Sequence, residues 1–310
     1  MISKRKIDQI GESLKIDSPL KKEELLSLLD WRNTFSGSLD YYHLKLKNKI
    51  DQDDVIAIAR RLKRIESIKI KLKRFRTMRL STLQDVAGLR VILTNQTSLL
   101  KAYTNLRGLP TKHKLQKLND YHNNPKEDGY RGIHLVYKSE NSGLIEIQLR
   151  TELEHIWATA VETYGELQNT SFKTGEGNEQ WKEFFGLLSS YFAIKEKCHP
   201  IEKHIRLSKK QISSKLKSYI KKLNVIERLN ASTNSINVIV NKFNESGKAG
   251  KYALLELDLE SKETKIEIFN KKDVTKAIEI YTKKELEYQS SSKRNIVFVN
   301  IENIEKILKT

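Results

Sequence analysis

NNPKEDGYRGIHLVYKSENSGLIEIQLRT, residues 123–151, is the stretch on which the fold turns. Its last third alternates strictly: Glu146, Gln148 and Arg150 fall on one side of a strand, while Ile145, Ile147 and Leu149 fall on the other. A strand with one face in solvent reads that way. So does a strand whose polar face lines a phosphate site, and the neighbouring segments decide between the two.

Upstream, VIAIARRLK, GLRVILT and GIHLVYK are short, rich in β-branched residues, and separated by polar loops and helical patterns, so residues 55–150 read as an α+β core. Leucines 25, 28, 29, 44 and 46 recur among polar residues, predicting helix over 23–50 with Ser18 and Pro19 at its entry. Downstream, Leu153, Ile156, Trp157, Ala160, Val161 and Tyr164 at three- and four-residue spacing predict an amphipathic helix. A glycine-bearing loop, TGEGNE, then precedes an apolar helix over 181–195 that His199 and Pro200 are expected to end. A Lys-rich helical stretch from Ser208 to about Leu229 follows, so the chain is divided into domains 1–200 and 201–310. The tail reads as a small ββαβα module: strands in KYALLELDLE and KIEIFN, a helix over 273–288, a strand in NIVFVN and a closing helix over 301–309.

The chain carries 57 Lys and Arg against 39 Asp and Glu, a formal charge of +18, which points to a polyanionic partner. A single cysteine, Cys198, excludes an internal disulfide and a Cys-based zinc site. The N-terminus lacks the apolar core of a signal peptide, and no run approaches 18 apolar residues, so the expectation is a cytoplasmic protein without membrane spans.

The charge is concentrated. Between Arg60 and Arg79 ten of twenty residues are Lys or Arg and only Glu66 is acidic. One continuous helix would drive Arg61 into the apolar stripe, an expensive place for an unpaired charge. The better reading is a strand through about Leu62 and a helix from near Arg64, with Arg61 at the junction. Helix N-termini at such junctions commonly hold phosphates. A polyphosphate normally arrives with Mg²⁺, which needs one or two carboxylates. Asp85, in LQDVAGLRVIL with Gly88 and Arg90 behind it, and Glu146, the only acidic side chain on the polar face of LIEIQLR, are the candidates.

The order of RLKRIESIKIKLKR, LQDVAGLRVIL, DYHNNPKEDGYRGIH and IEIQLRT resembles the RelA/SpoT-type synthetase domain over roughly residues 25–195. The resemblance implies a nucleotidyltransferase-like mixed β-sheet flanked by helices, with a small C-terminal α+β module appended. It implies an ATP-dependent pyrophosphokinase that moves the β,γ-pyrophosphate of ATP onto a ribose 3′-hydroxyl and releases AMP. Carried over position by position, Arg61, Lys63, Ser67, Lys71, Arg74 and Arg90 match ATP contacts, and Asp85 and Glu146 match the catalytic Mg²⁺ carboxylates. Tyr130 matches the aromatic residue that stacks on the acceptor base, with Lys126, Arg131, His134, Gln148 and Arg150 completing the acceptor site.

Two features resemble the toxic branch of small alarmone synthetases, in which a CapRel-like toxin and antitoxin share one chain and the acceptor is the 3′ CCA end of tRNA. RTELEHIWATAVETYGEL followed by WKEFFGLLSSYFAIKE resembles the fused proteins, and the broad basic surface suits an acceptor stem. Lys112, His113, Lys114 and Lys117 are the expected stem contacts. The tail resembles the module that restrains the toxin until a trigger such as a phage protein releases it, although that module is expected to continue past Thr310 into an aromatic-bearing segment. The alternatives are a guanosine tetraphosphate or pentaphosphate synthetase of the stringent response, with GDP or GTP as acceptor, and a catalytically idle nucleotide- or RNA-binding regulator. No His-Asp pair of the family's hydrolase domain occurs.

Overall fold

The computed structural model describes residues 2–16, 18, 20–108, 114–139, 143–167, 178–226, 252–258, 263–287 and 294–300. The chain divides into two compact units, Met1–Tyr219 and Ile220–Thr310.

In the first unit, helices α1 (Lys4–Lys15), α2 (Lys22–Asn33) and α3 (Ser36–Lys49) lead into strand β1 (Val55–Leu62) and helix α4 (Ile65–Arg74). Then come β2 (Ala87–Leu93), α5 (Gln96–Arg107), β3 (Lys114–Asp120), β4 (Ile133–Ser139), β5 (Gly143–Thr151), α6 (Glu152–Leu167), α7 (Glu179–Lys195) and α8 (Lys209–Lys222), whose last three residues fall past the division at Tyr219. The five strands form one mixed sheet in the order β1-β2-β5-β4-β3, in which β2 and β5 are parallel and every other pair is antiparallel. Strand β5 is therefore central and buried between two neighbours.

The alternation of β5 does what its pattern predicts. Ile145, Ile147 and Leu149 are fully buried, beside Leu89, Val91, Ile133 and Leu135. Helices α3 and α5 cover that side: Tyr42 of α3 lies 5.0 Å, centroid to centroid, from Tyr137 of β4, whose hydroxyl donates to the Leu106 carbonyl of α5 at 3.0 Å. Burying a side chain of this size contributes roughly 1.5–3 kcal/mol, so the apolar face anchors the sheet and fixes which residues the opposite face must display.

Several elements depart from the sequence expectation. The helix expected over 23–50 is two, broken at Thr34 and Phe35, where Thr34 Oγ1 donates to the Trp31 carbonyl and Phe35 turns into the core against the Trp31 ring at 5.3 Å. Its entry cap is Lys21, whose N–H donates to Glu24 Oε2 at 2.9 Å, rather than Ser18. Helix α1 was unforeseen: Ile7, Ile10 and Leu14 form a buried stripe, and Ser3 caps it by accepting from the Lys6 N–H. Strand β3 was also unforeseen, because an edge strand with one partner and an exposed face carries no alternation to read. Helix α7 ends at Lys195, as expected, but its stop is Lys197, which adopts φ 60° and turns the chain out of the helix, rather than His199 and Pro200.

In the second unit β6 (Tyr252–Asp258), β7 (Glu263–Phe269) and β8 (Arg294–Asn300) form an antiparallel sheet in the order β7-β6-β8, with α9 (Val274–Glu287) between β7 and β8 in sequence. Leu254, Phe269, Ala277 and Ile296 make its core, with Tyr252, Ile280 and Tyr281 packed against it. The expected closing helix over 301–309 lies outside the described residues.

Candidate active site

The register of the sheet assembles the polar face. Arg61 of β1 pairs with Gly88 of β2, Gly88 with Glu146 of β5, Arg90 with Gln148, and Gln148 with His134 of β4. Directly paired residues share a face, so Arg61, Arg90, Glu146, Gln148, Arg150 and His134 converge on one side of the sheet although they are drawn from four strands. A Cβ at Gly88 would meet the Glu146 carbonyl at 3.1 Å, so the missing side chain keeps the floor open between Arg61 and Glu146.

One hydrogen-bonded chain links these groups. His134 Nδ1 lies 2.8 Å from Glu146 Oε1, and Gln148 Nε2 donates to Glu146 Oε2 at 2.7 Å. With Nδ1 donating to the carboxylate, His134 Nε2 accepts from the Tyr130 hydroxyl at 2.5 Å, and that hydroxyl in turn accepts from Arg150 at 2.9 Å. Arg90 Nε and Arg150 both donate to Gln148 Oε1 at 3.3 Å. Burial pushes the Glu146 carboxyl up, but its hydrogen bonds to His134 and Gln148 outweigh it and hold the carboxyl below its usual range.

The second carboxylate sits where β1 gives way to α4. Lys63 follows the last residue of β1 and its N–H donates to the Val86 carbonyl at 2.7 Å, which ties the junction to the loop carrying Asp85. Arg64 then caps α4, as the sequence reading required. Lys63 Nζ reaches Asp85 Oδ2 at 2.9 Å, and Lys71, two turns along α4, reaches Oδ1 at 2.8 Å. Burial raises Asp85, yet the two ammonium groups prevail and hold it below its usual range. Ser67, one turn before Lys71, lies on the same face of α4 as that residue, and Arg74 is exposed over the Phe75 ring at 5.2 Å.

The balance of charge on this face is lopsided. Desolvation, then the neighbouring Arg150 and Arg61, bring the Arg90 guanidinium down to about 10. Arg61 is solvent-exposed, but the atoms crowded around it and the adjacent Arg64 still lower it, with Asp85 and Glu146 pulling the other way. Cations that depress one another in this way are stabilised by a bound polyanion.

Tyr130 is 9% exposed, with Lys126 and Arg150 each 5.1 Å from its ring centroid. The more open aromatic ring is Tyr121, which meets Tyr130 and His134 edge-on and has Lys126 4.7 Å from its centroid. Arg131 is buried and bonds backbone: it donates to the carbonyls of His122 and His199 and so braces the loop. Lys114 and Lys117 are exposed on β3, whereas Lys112 and His113 lie outside the described residues.

Sequence reasoning passed over Tyr121 and His155. The latter sits on α6 with a buried Nδ1 that lacks a hydrogen-bond partner, its pKa brought down to about 4 by burial, Arg90 and Arg150. No periodic signal marks it, since it reads as one polar position of an amphipathic helix.

For Mg²⁺ the donor set fits. Asp85 and Glu146 are hard oxygen donors, and Asp85 Oδ1, though close to Lys71, is buried without a hydrogen bond of good geometry. Among the described residues no group of three or more His, Cys, Asp or Glu could cage a metal.

Comparisons with known proteins bear on the same segment. An uncharacterized protein of Mycobacterium tuberculosis is 23% identical over 184 residues, 57% of this chain; the chain spans 64% of that protein's length. The GTP pyrophosphokinase of Haemophilus influenzae is 35% identical over 112 residues, 36% of this chain and 14% of that protein. Among solved structures, small alarmone synthetase 1 of Bacillus subtilis bound to its product pppGpp superposes with a TM-score of 0.47 at 22% identity, covering 53% of this chain and 90% of that one. Residues 60–169, which carry Arg61, Asp85, Arg90, Tyr130, His134, Glu146, Arg150 and His155, match the model described as the region found in RelA / SpoT proteins.

Proposed function

We propose that the chain is an ATP-dependent pyrophosphokinase that transfers the β,γ-pyrophosphate of ATP to a ribose 3′-hydroxyl. The observation that carries this reading is the convergence of Arg61, Lys63, Arg90 and Arg150 around two carboxylates, Asp85 and Glu146, on one face of the sheet. Phosphoryl-type transfer asks mainly for in-line positioning and charge neutralisation, and this is the machinery for both. Arg61, Lys63, Lys71 and Arg74, with Ser67, contact the phosphates and adenine of ATP along the β1–α4 junction and helix α4, and Arg90 and Arg150 steady the transferring group. Glu146, kept ionised by His134 and Gln148, accepts a hydrogen bond from the attacking 3′-hydroxyl. Mg²⁺, held by Asp85 and Glu146, would neutralise charge on the β- and γ-phosphates when bound.

The acceptor in this reading is the 3′ CCA end of tRNA. The exposed Lys114 and Lys117 stand on the edge strand β3, whose Asn119 pairs with His134, so a basic edge leads to the reacting face. The net charge of +18 suits a stem of phosphates better than a single nucleotide. Tyr121 and Tyr130, with Lys126 and His134, receive the terminal base and ribose. The consequence is blocked translation, in the manner of a toxin–antitoxin or phage-defence protein, and the second unit is the natural restraining module. The second reading, GDP or GTP as acceptor, is favoured by the name of the Haemophilus relative.

The test offers the purified chain ATP labelled at the γ-phosphate together with deacylated tRNA, GDP or GTP in separate reactions. Label on tRNA supports the first reading, and label on the guanine nucleotide alone supports the second. Absence of both label transfer and AMP release would refute the pyrophosphokinase itself.

A further inference from the structure

Residues 203–226 carry eight Lys and Arg and no Asp or Glu. All eight are exposed, and among the described residues only Lys203 meets a carboxylate, that of Glu183. Six of them are the lysines of α8, and their placement works against the helix. Ser208 and Gln211 form a capping box, in which the Ser208 N–H donates to Gln211 Oε1 at 2.8 Å and the Gln211 N–H to Ser208 Oγ at 3.3 Å. Lys209 and Lys210 follow in the first turn, where the helix dipole favours acids, and that turn holds none. Lys217 and Lys221, four residues apart, repel each other along one side. Stability alone would put Glu at some of these positions; contact with a polyanion would keep Glu out.

The surroundings narrow the polyanion to one kind. Ile212 and Leu216, the apolar stripe of α8, are 0% and 6% exposed, so the helix has no free apolar face to lay into a membrane. Lysine is depleted from protein–protein interfaces, whereas phosphates accept it as a point charge. The six lysines are strung along about 21 Å of helix, which suits a row of backbone phosphates better than one nucleotide. Helix α8 is also tied to the transfer site through adjacent serines of α7. Ser189 Oγ donates to the Gly129 carbonyl at 2.6 Å, beside Tyr130, and Ser190 Oγ lies 2.9 Å from Nδ1 of the buried His204. The Ile201 N–H donates to the same Ser190 oxygen at 3.3 Å. The loop bearing Tyr130 and the turn that feeds α8 therefore share one support within the first unit.

We propose that α8 is a backbone grip for duplex RNA, the stem of the tRNA acceptor, holding the substrate while its 3′ end enters the transfer site. Its lysines contact phosphates, so the grip is indifferent to base sequence and weakens with salt as counterions are released less favourably. Affinity for the body of the substrate then comes from α8, and the choice of the reacting hydroxyl from the sheet face. The purpose of the grip rests on the tRNA reading; the binding itself does not.

The experiment measures binding of fluorescently labelled deacylated tRNA to the full chain by anisotropy, between about 50 and 200 mM salt. Lys210→Gln/Lys217→Gln is compared with Lys47→Gln/Lys49→Gln, which removes the same charge from exposed positions of α3, on the apolar side of the sheet. The α8 pair is expected to weaken binding about tenfold or more at the lower salt and to flatten the slope of log affinity against log salt by about 1–2, while the α3 pair changes little. Gln is a good helix former, and Lys209→Gln/Lys210→Gln, which relieves the dipole, is a second variant that keeps the helix. No binding by the parent, equal affinity in the parent and both α8 variants, or equal loss in the α8 and α3 pairs would overturn the proposal. So would α8 variants that lose binding to anionic lipid vesicles and keep tRNA. A chain that labels GDP or GTP alone, yet loses tRNA binding with the α8 pair, refutes the acceptor reading and leaves the grip standing. Label reaching scarce tRNA as readily in the α8 pair as in the parent refutes the grip and leaves the acceptor reading.

Discussion

Gly129 offers the sharpest test of how the loop bearing Tyr130 is held. It adopts φ +96°, and a Cβ there would stand 2.9 Å from Ser189 Cβ and 3.1 Å from Trp157 Cζ2, while its carbonyl accepts from Ser189 Oγ at 2.6 Å. In Gly129→Ala the backbone conformation costs about 1–2 kcal/mol, and overpacking adds about 1–3 kcal/mol. The stiffer unfolded chain returns about 0.4–1 kcal/mol. The net destabilisation is therefore about 2–4 kcal/mol, a fall of roughly 1 M in the urea midpoint for a slope of 2–3 kcal/mol per molar. Ser189→Gly removes the closest atom but not Trp157, so the double variant should show a favourable coupling of about 1 kcal/mol relative to the sum of the two singles. Urea unfolding of the four proteins measures this, with transfer activity followed in parallel because Tyr130 is the next residue. A Gly129→Ala protein within about 0.5 kcal/mol of the parent, or a cycle with no coupling, would show that the loop does not pack on α7 as described.

Three other outcomes follow from the same geometry. Asp85→Asn and Glu146→Gln should each lower the transfer rate by about a hundredfold or more without moving the thermal midpoint by many degrees, and full activity in either would defeat its role. Tyr130→Phe strips the hydroxyl that serves both Arg150 and His134, and should cost about 1–3 kcal/mol in chemical unfolding; a silent change would mean that water replaces it freely. Stability should also depend on pH through the buried His122 and the partly buried His155. His122, raised to about 10, holds a proton the unfolded chain gives up, so its contribution is complete below about 6.5 and lost as pH climbs toward 10. His155, lowered to about 4, must stay neutral in the fold, so its contribution is present above about 6.5 and lost as pH falls toward 4. Urea midpoints of His122→Gln and His155→Gln across pH 4–10 should flatten the alkaline and acid limbs respectively, and unchanged limbs would count against these assignments.

The split of residues 58–75 into strand and helix was legible without coordinates, because a single helix would have buried Arg61 unpaired. The two faces of β5 were equally legible, since a period of two on a strand admits one division into sides. The break at Thr34 and Phe35 was not, because two helices that bury leucines against the same core keep one continuous periodicity. Strand β3 escaped for the opposite reason, as an exposed edge has no buried set to reveal.

The candidate site divides along the same line. Residue type and position marked Arg61, Asp85 and Glu146, whereas Lys63, Tyr130 and Arg150 entered through the resemblance of the ordered motifs to the RelA/SpoT-type synthetase domain. That Arg90, Gln148 and His134 stand side by side on three strands is a matter of register, and register is set by pairings between segments far apart in the chain. So is the burial of Tyr130 behind Lys126 and Arg150, and the meeting of His122, Glu154 and Cys198 from three separate segments. Local periodicity gave the faces; long-range pairing decided which side chains share one, because hydrogen-bonded neighbours in a sheet are fixed by tertiary contacts that no short window of sequence contains.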